Sequence, residues 1–449
     1  MKRIYPFLII TVCSLFSLSI QAQSPAPPAD SIPFFTLGQC IDYAFKHQPT
    51  VQQALINEQV TKTSNAISLA GWYPQANING NLTHYMQLPT VFVKNANGIV
   101  QEQKSGVVNT AVPVLSVTQS IFSPALAYAI KAAPLYVQQA EQITDSARID
   151  MVVAVSKSFY SLLLTLEQIR VLKEDTARLN KSLSDSYHQF VAGLVDRTDY
   201  EQATITLNNT LAQLRTATEN VSPQYAILKQ TMGYPPQSQF NVIFDTVQMK
   251  QDIAFDTTQQ LDFNKRVEYN LLQTSRNLQR QTTNYYRLDF LPTLSAFFSY
   301  DYDFQNNEFS QLFANAYPYS YVGLSLSLPI FTGFSRLNNI KRSRLLEREL
   351  DWSELGLKSQ IYTEYTTALA TYKSNLYNLS VMGDNAALAR DVYEIVTLQY
   401  QQGIVPYLNV ITAESNLISS EIGYSNALFT VLSNKVDLEK AMGIVSYHH

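Results

Sequence analysis

The sequence predicts an internally duplicated α+β membrane protein, with four transmembrane β-strands and long coiled-coil helices in each chain. Three observations support this fold class. Leu135–Ala192 and Ser335–Gln402 contain no proline, and the second stretch alone would form a helix of roughly 100 Å at 1.5 Å per residue. Four other segments alternate polar and apolar residues with a period of two, which is typical of strands. The same order of elements occurs twice along the chain.

The composition argues against nucleic-acid binding and against catalysis. The 449 residues include 32 basic and 36 acidic ones, and the basic residues form no cluster. No zinc-protease, nucleophile-elbow, phosphate-loop or paired-cysteine motif occurs. The five histidines are scattered: His47, His84, His188, His448 and His449. We therefore expect no enzyme activity, no cofactor and no metal site, with a periplasmic hydrolase on a helical scaffold as the remaining catalytic alternative.

The N-terminus has the pattern of an export signal. Lys2 and Arg3 precede an apolar run, and small residues near Ala22 provide a cleavage point, so residues 1–22 are predicted to be a signal peptide. The proline-rich residues 23–36 are expected to be a flexible lead-in. Cys40 then has no partner for an intrachain disulfide. No apolar stretch of 18 residues is found after residue 22, so membrane-crossing segments are expected to be strands.

Residues 37–233 form the first predicted repeat. It starts with a short helix, Leu37–His47, and a second helix that stops at Gly71. Strands are expected at about 75–87 and 108–122, on either side of a loop. A long helix at about 125–191 follows. A capping box of Thr198 and Glu201 would begin the returning helix, which reaches Met232-Gly233.

Residues 261–443 repeat this order after an irregular connector at 234–260. Strands are expected at about 292–304 and 319–331, a long helix at about 335–402, and a tail at 444–449. Landmarks recur at similar offsets: 209 for Ile121 and Ile330, 210 for Gly193 and Gly403, and 218 for Pro74 and Pro292, where the difference places an insertion or deletion in the outer loop. The chain is therefore predicted to contain two copies of one unit.

The strand count predicts self-association. Each strand has the 9–11 residues that cross a bilayer, but four strands cannot close a barrel, because about eight is the practical minimum. An open sheet in lipid would leave backbone groups unpaired, at several kcal/mol each. The polar face of the first strand suits a water-filled lumen: Gln75, Asn77, Asn79, Asn81 and Thr83. The alternative is a soluble β-sandwich on helical stalks.

The turns between the long and returning helices carry a family resemblance. Val191–Asp199, and Tyr400–Gly403 followed by Leu408-Asn409-Val410 and Ala413, resemble the two periplasmic turns of the TolC family of outer-membrane efflux proteins. The resemblance covers nearly all of the mature chain and depends on the paired spacing of the two turns.

The resemblance implies a homotrimer, with a 12-stranded β-barrel in the cell outer membrane continued by a 12-helix α-barrel in the periplasm. The chain would be the passive exit duct of a tripartite efflux or type I secretion system. Its implied partners are outer-membrane lipid, a periplasmic adaptor (membrane fusion) protein and an inner-membrane pump of the RND or ABC type. The alternative is a periplasmic, non-catalytic adaptor or coiled-coil scaffold, which should lack the duplicated strands.

The resemblance also implies a periplasmic gate, in which Thr198 and Asp199 form one side and Tyr400 the other. The lock arginine of the family falls at Val405, and its acidic ring falls at Asn409 and Thr412, so neither feature is expected. Alternatively, the role of Asp199 could be limited to stabilising a helix N-terminus, and the turn glycines could be there only because glycine readily adopts positive φ. The residues expected to contact an adaptor are Gly193, Leu194, Val195, Gly403, Ile404 and Val405.

Overall fold

A computed structural model describes residues 32–94, 96, 98–243, 249 and 251–446. The predicted signal peptide and most of the predicted lead-in lie outside these residues. The described chain is dominated by helices that run side by side, with a four-stranded sheet at one end.

Two long helices and two return helices form most of the helical part of the described chain. The first long helix is Pro124–Val191 and the second is Ser335–Gln401, with 68 and 67 residues, so each extends about 100 Å. The first return helix is Arg197–Met232 and the second is Tyr407–Met442. Three shorter helices, Leu37–His47, Pro49–Leu69 and Val267–Leu288, pack against the long ones.

Eight strands are present in the described residues: β1 Phe34–Phe35, β2 Gln75–His84, β3 Thr90–Lys94, β4 Val100–Lys104, β5 Asn109–Phe122, β6 Asn241–Val242, β7 Thr293–Asn306 and β8 Ala316–Ser327. The main sheet is antiparallel, with the order β2-β5-β7-β8. The hairpin β3–β4 lies where the sequence suggested a loop. β8 ends at Ser327, before the end expected at about 331.

The duplication is visible in the strand register. Gln75 pairs with Thr118 in the first repeat, and Thr293 pairs with Ser327 in the second. Adding the sequence offsets of 218 and 209 to the first pair gives the second pair. The two hairpins therefore have the same register.

The glycines at the ends of the return helices make equivalent close contacts. Gly233 and Gly443 have φ of 68° and 69°, a left-handed conformation that favours glycine. A Cβ on Gly233 would lie 2.5 Å from the backbone oxygen of His47, and one on Gly443 would lie 2.5 Å from that of Lys265. Each return helix thus ends against the N-terminal segment of its own repeat.

Two segments expected to be irregular are structured. Phe34–Phe35, at the end of the predicted flexible lead-in, pairs in parallel with Asn241–Val242 of the connector. The Phe35 ring lies 5.2 Å from that of Phe240, and Phe240 is buried. Aromatic packing therefore fixes both segments against the helices.

One described helix, Pro124–Val191, contains an 18-residue window long and apolar enough to cross a membrane, although the sequence reading found no such stretch. Of that window, 56% is buried inside the chain. Its apolar side chains belong to the largest core cluster, which includes Val155, Phe159 and Leu162 together with Leu428 and Leu432 of the second return helix.

Candidate functional site at the helix turns

The two turns at the far end of the helices have the same backbone geometry. Gly193 and Gly403 have φ of 73° and 71°, which confirms the positive φ expected there. The Leu194 N–H donates to the Gln189 carbonyl and the Ile404 N–H to the Gln399 carbonyl, both at 2.9 Å. These hydrogen bonds close each helix in the manner of a Schellman motif.

Apolar side chains project from both turns. Leu194 is 75% exposed and Ile404 is 70% exposed, whereas Val195 and Val405 are half-buried. Exposed apolar residues at the tip of a long structure are typical of a surface that binds a partner.

The predicted capping box is wrong. The first return helix begins at Arg197 with Asp196 as its N-cap residue, and no side chain caps it. Glu201 instead accepts a hydrogen bond from Arg197 Nε at 2.7 Å. Thr198 is exposed on the first turn of this helix, and Asn409, the equivalent of Asp199 at the offset of 210, is exposed on the first turn of the second return helix. Among the described residues, neither side chain makes a hydrogen bond.

Tyr400 connects the two long helices. Its hydroxyl donates a hydrogen bond to Gln189 Oε1, and its ring lies 5.2 Å from that of Tyr407. Burial, and after it the negative charge of Asp199, raises the pKa of Tyr400 to about 12. The structure therefore brings Asp199 and Tyr400 within electrostatic reach. Burial and the charge of Asp196 raise the pKa of Asp199 in turn.

Tyr407 provides a second link between the repeats that the sequence reading missed. Its side chain is 1% exposed, and its hydroxyl lies 2.6 Å from Ser182 Oγ of the first long helix. Tyr407 matches Arg197 at the offset of 210. The first return helix starts with a charged residue and the second with an aromatic one. This difference in the sequence could have identified Tyr407.

The sheet at the opposite end has one polar and one apolar face. One row across the four strands contains Asn77, Ser116, Ser299 and Tyr321. The neighbouring row on the other face contains Ala76, Val117, Phe298 and Val322. All ten residues of β2 are exposed, as are most of β8. Both outer edges of the sheet are therefore open within one chain.

The two long helices, each of about 100 Å, are joined to a sheet that has one polar face, one apolar face and two open edges. This arrangement defines a class of protein that combines membrane strands with a long helical extension. The chain belongs to the outer membrane efflux protein family, which matches residues 40–234 and 272–444. It is 22% identical to the outer membrane protein TolC of Escherichia coli K12 over 469 aligned positions, covering 99% of this chain and 87% of that protein.

Solved structures of outer-membrane channels share the fold. VceC from Vibrio cholerae superposes with a TM-score of 0.71 and 16% identity, over 91% of this chain and 96% of that one. The CmeC channel of Campylobacter jejuni gives a TM-score of 0.70 and 16% identity, over 91% and 85%.

The family assignment identifies the chain as an outer-membrane exit duct for efflux, with its helical part in the periplasm. It favours this function over the alternative of an adaptor or scaffold, because the matching family is that of outer membrane efflux proteins. The turns described above are the periplasmic end of the duct.

Proposed function

We propose that three copies of the chain close one 12-stranded barrel in the outer membrane, continued by a tunnel of 12 helices in the periplasm. We further propose that this tunnel is the passive outlet of a tripartite efflux or type I secretion system. The observation that carries the proposal is the pair of open sheet edges, β2 and β8, in a sheet of only four strands.

Closure with identical copies would satisfy the backbone at both edges. Each unpaired backbone group in lipid costs several kcal/mol, so an isolated sheet is unstable in a membrane. Three copies supply 12 strands, which exceeds the minimum for a closed barrel. In that arrangement β8 of one copy pairs with β2 of the next.

The pairing of β5 with β7 inside one chain gives the register of this contact. Ser116 pairs with Ser299 and Leu115 with Tyr300 within the chain. Applying the repeat offsets of 209 and 218 to this ladder pairs Ser325 with Asn81 and Leu324 with Leu82 of the next copy. Ser325 and Asn81 then lie on the polar face of the sheet, and Leu324 and Leu82 lie on its apolar face.

The helices support the same arrangement. Leu388, Ile395 and Leu398 of the second long helix are 61%, 56% and 59% exposed. Ile205 and Leu211 of the first return helix are 55% and 42% exposed. By the repeat equivalence these two surfaces meet between neighbouring copies, as the first long helix meets the second return helix within one chain. Burial of this apolar area would stabilise the tunnel.

The turns are then the contact surface for a periplasmic adaptor coupled to an inner-membrane pump of the RND or ABC type. Leu194 and Ile404 would each be present three times around the entrance. The gate assignment of Thr198, Asp199, Tyr400 and Asn409 belongs to this proposal, as does the division into repeats at 37–233 and 261–443 with a connector between them.

A cysteine cross-link tests the assembly. Asn81→Cys combined with Ser325→Cys should form disulfides between copies, because directly opposed residues of antiparallel strands have Cβ atoms about 4.5–5.5 Å apart. We expect covalent dimers and trimers, and no larger species, on denaturing gels after oxidation in membranes. Asn81→Cys with Tyr321→Cys, four residues out of register, is the matched control. Monomers in both samples would contradict the proposed barrel.

A further inference from the structure

A carboxyl group near the entrance is buried without a partner. Glu414, on the second return helix, is 0% exposed, and neither of its carboxylate oxygens has a hydrogen-bond partner among the residues that the structure describes. It lies seven residues after Tyr407, where this helix begins, about 10 Å along the helix axis. Burying an ionised carboxylate without a partner is costly, so such a group normally takes up a proton instead.

Three helices meet around Glu414. The first long helix contributes Arg178 and Asp175, the second long helix contributes Tyr393, and the second return helix contributes Tyr407. The charge of Arg178 is the one that acts on Glu414. Burial raises the pKa of Tyr393 and of Tyr407, and the charge of Glu414 acts in the same direction to a smaller extent. The first return helix contributes apolar side chains such as Ala203 to the adjoining core.

The available positive charge is already engaged. Arg178 forms an ion pair with Asp175 and a second one with Glu421, at 3.6 Å from its Nη2 to Oε2. Arg390 pairs with Glu421. Three carboxyl groups, those of Asp175, Glu414 and Glu421, therefore share two guanidinium groups. Since Glu414 has no ion pair or hydrogen bond here, it is the member of the group most easily kept neutral.

We propose that Glu414 is a protonation site that controls how tightly the two repeats pack beside the periplasmic entrance. The neutral carboxyl permits the packed arrangement of the three helices, and ionisation draws water into the contact and loosens it. This inference rests on the proposed duct function, because the entrance can open only if the helices near the turns move relative to one another.

The direction of the pH effect follows from the raised pKa of Glu414. Burial raises the pKa of Glu414 from 4.5 to about 7 in the packed arrangement, although Arg178 opposes the shift. In an opened, hydrated arrangement the pKa returns toward 4.5. Packing is therefore favoured most below about pH 4.5 and loses this advantage as the pH rises to about 7. The opening equilibrium should shift by up to about 300-fold per chain across that window.

Channel recordings in planar bilayers test the proposal. Wild-type trimers should open more often as the periplasmic-side pH rises from 5 to 8. Glu414→Gln should remain at the low-pH level throughout, because the amide cannot ionise. Glu394→Gln, an exposed position on the second long helix, should keep the wild-type profile. A wild-type profile in Glu414→Gln would overturn the inference and leave the duct function intact, whereas absence of any wild-type channel would overturn the duct function.

Two further measurements apply if Glu414→Gln fails to assemble. Glu414→Met replaces the carboxyl with an apolar side chain of similar size, which is often tolerated in place of a buried charge, and it should give the same flat profile. Infrared spectra of the wild-type protein should contain a protonated carboxyl band that disappears between pH 6 and 8. A profile in Glu414→Met that follows the wild type, or the lack of a titrating band, would contradict the inference.

Discussion

Arg178 of the first long helix and Glu421 of the second return helix join the two repeats through an ion pair, with 3.6 Å between Nη2 and Oε2. The offset of 210 makes Leu388 the equivalent of Arg178 and Leu211 the equivalent of Glu421. Both leucines are exposed in the single chain. The contact within a chain is therefore ionic at this level, while the equivalent contact between copies is expected to be apolar.

Leu388→Asp should weaken the proposed trimer. A leucine that becomes fully buried contributes about 1.5–3 kcal/mol, and the aspartate would bring an unpaired charge into the interface instead. The temperature at which detergent-solubilised trimers dissociate should fall markedly. Leu194→Asp, at the tip of a turn, is the matched control and should keep trimer stability while reducing adaptor binding. Equal dissociation temperatures for Leu388→Asp and the wild type would refute the apolar contact.

Gly443→Ala should destabilise the folded chain more than Gly403→Ala. Both positions have positive φ, which costs a non-glycine residue about 1–2 kcal/mol. At Gly403 a Cβ meets open space, whereas at Gly443 it would lie 2.5 Å from the Lys265 carbonyl oxygen, so the backbone must shift at a further cost of about 1–3 kcal/mol. Denaturant unfolding followed by circular dichroism measures the difference. Equal losses in the two variants would exclude the steric contribution.

Tyr400→Phe should make spontaneous opening of the duct severalfold more frequent. The substitution removes the hydrogen bond to Gln189, which contributes about 0.5–1.5 kcal/mol in each chain. Asp199→Ala should act in the same direction, because Asp199 lies on the other side of the proposed gate. Conductance in planar bilayers provides the measurement, with Tyr377→Phe, at an exposed position of the same helix, as control. Unchanged conductance in both gate variants would remove these residues from the gate.

Glu354→Gln should destabilise the chain at neutral pH but not in strong acid. The Lys358 ammonium, 2.7 Å from Glu354 Oε1, lowers the pKa of the carboxyl from 4.5 to about 2, and Arg276 also pairs with it. A carboxyl whose pKa is lowered by folding contributes stability above about pH 4.5 and loses it as the pH falls to about 2. We expect the free energy of unfolding to fall by only about 1 kcal/mol at pH 7, because water screens the charge of the partly exposed Lys358.

The free energy of unfolding at pH 7 and pH 2 checks this prediction. Glu349→Gln, an exposed position on the same helix, should change neither value. A loss in Glu354→Gln that persists undiminished at pH 2 would show that the carboxylate charge is not its cause.

The duplication could be predicted from the sequence because its marks are local. Prolines and glycines interrupt helices, and polar and apolar residues alternate along strands. Because these features are visible in the sequence, the offsets of 209, 210 and 218 between equivalent residues could be found without a structure. The same offsets relate the strand registers of the two hairpins. The family of outer membrane efflux proteins was likewise predicted from the paired turns and is confirmed by the match over both repeats.

The sequence by itself therefore determined the order of the elements, the approximate bounds of the long helices and the class of protein. Only the tertiary structure decided which groups meet: Tyr400 with Gln189, Gly443 with Lys265, and Glu414 with no hydrogen-bond partner in a buried contact. It also replaced the expected capping box with the pair of Arg197 and Glu201. The physical reason is that periodicity depends on neighbours along the chain, whereas contacts between residues about 200 positions apart depend on how whole helices pack.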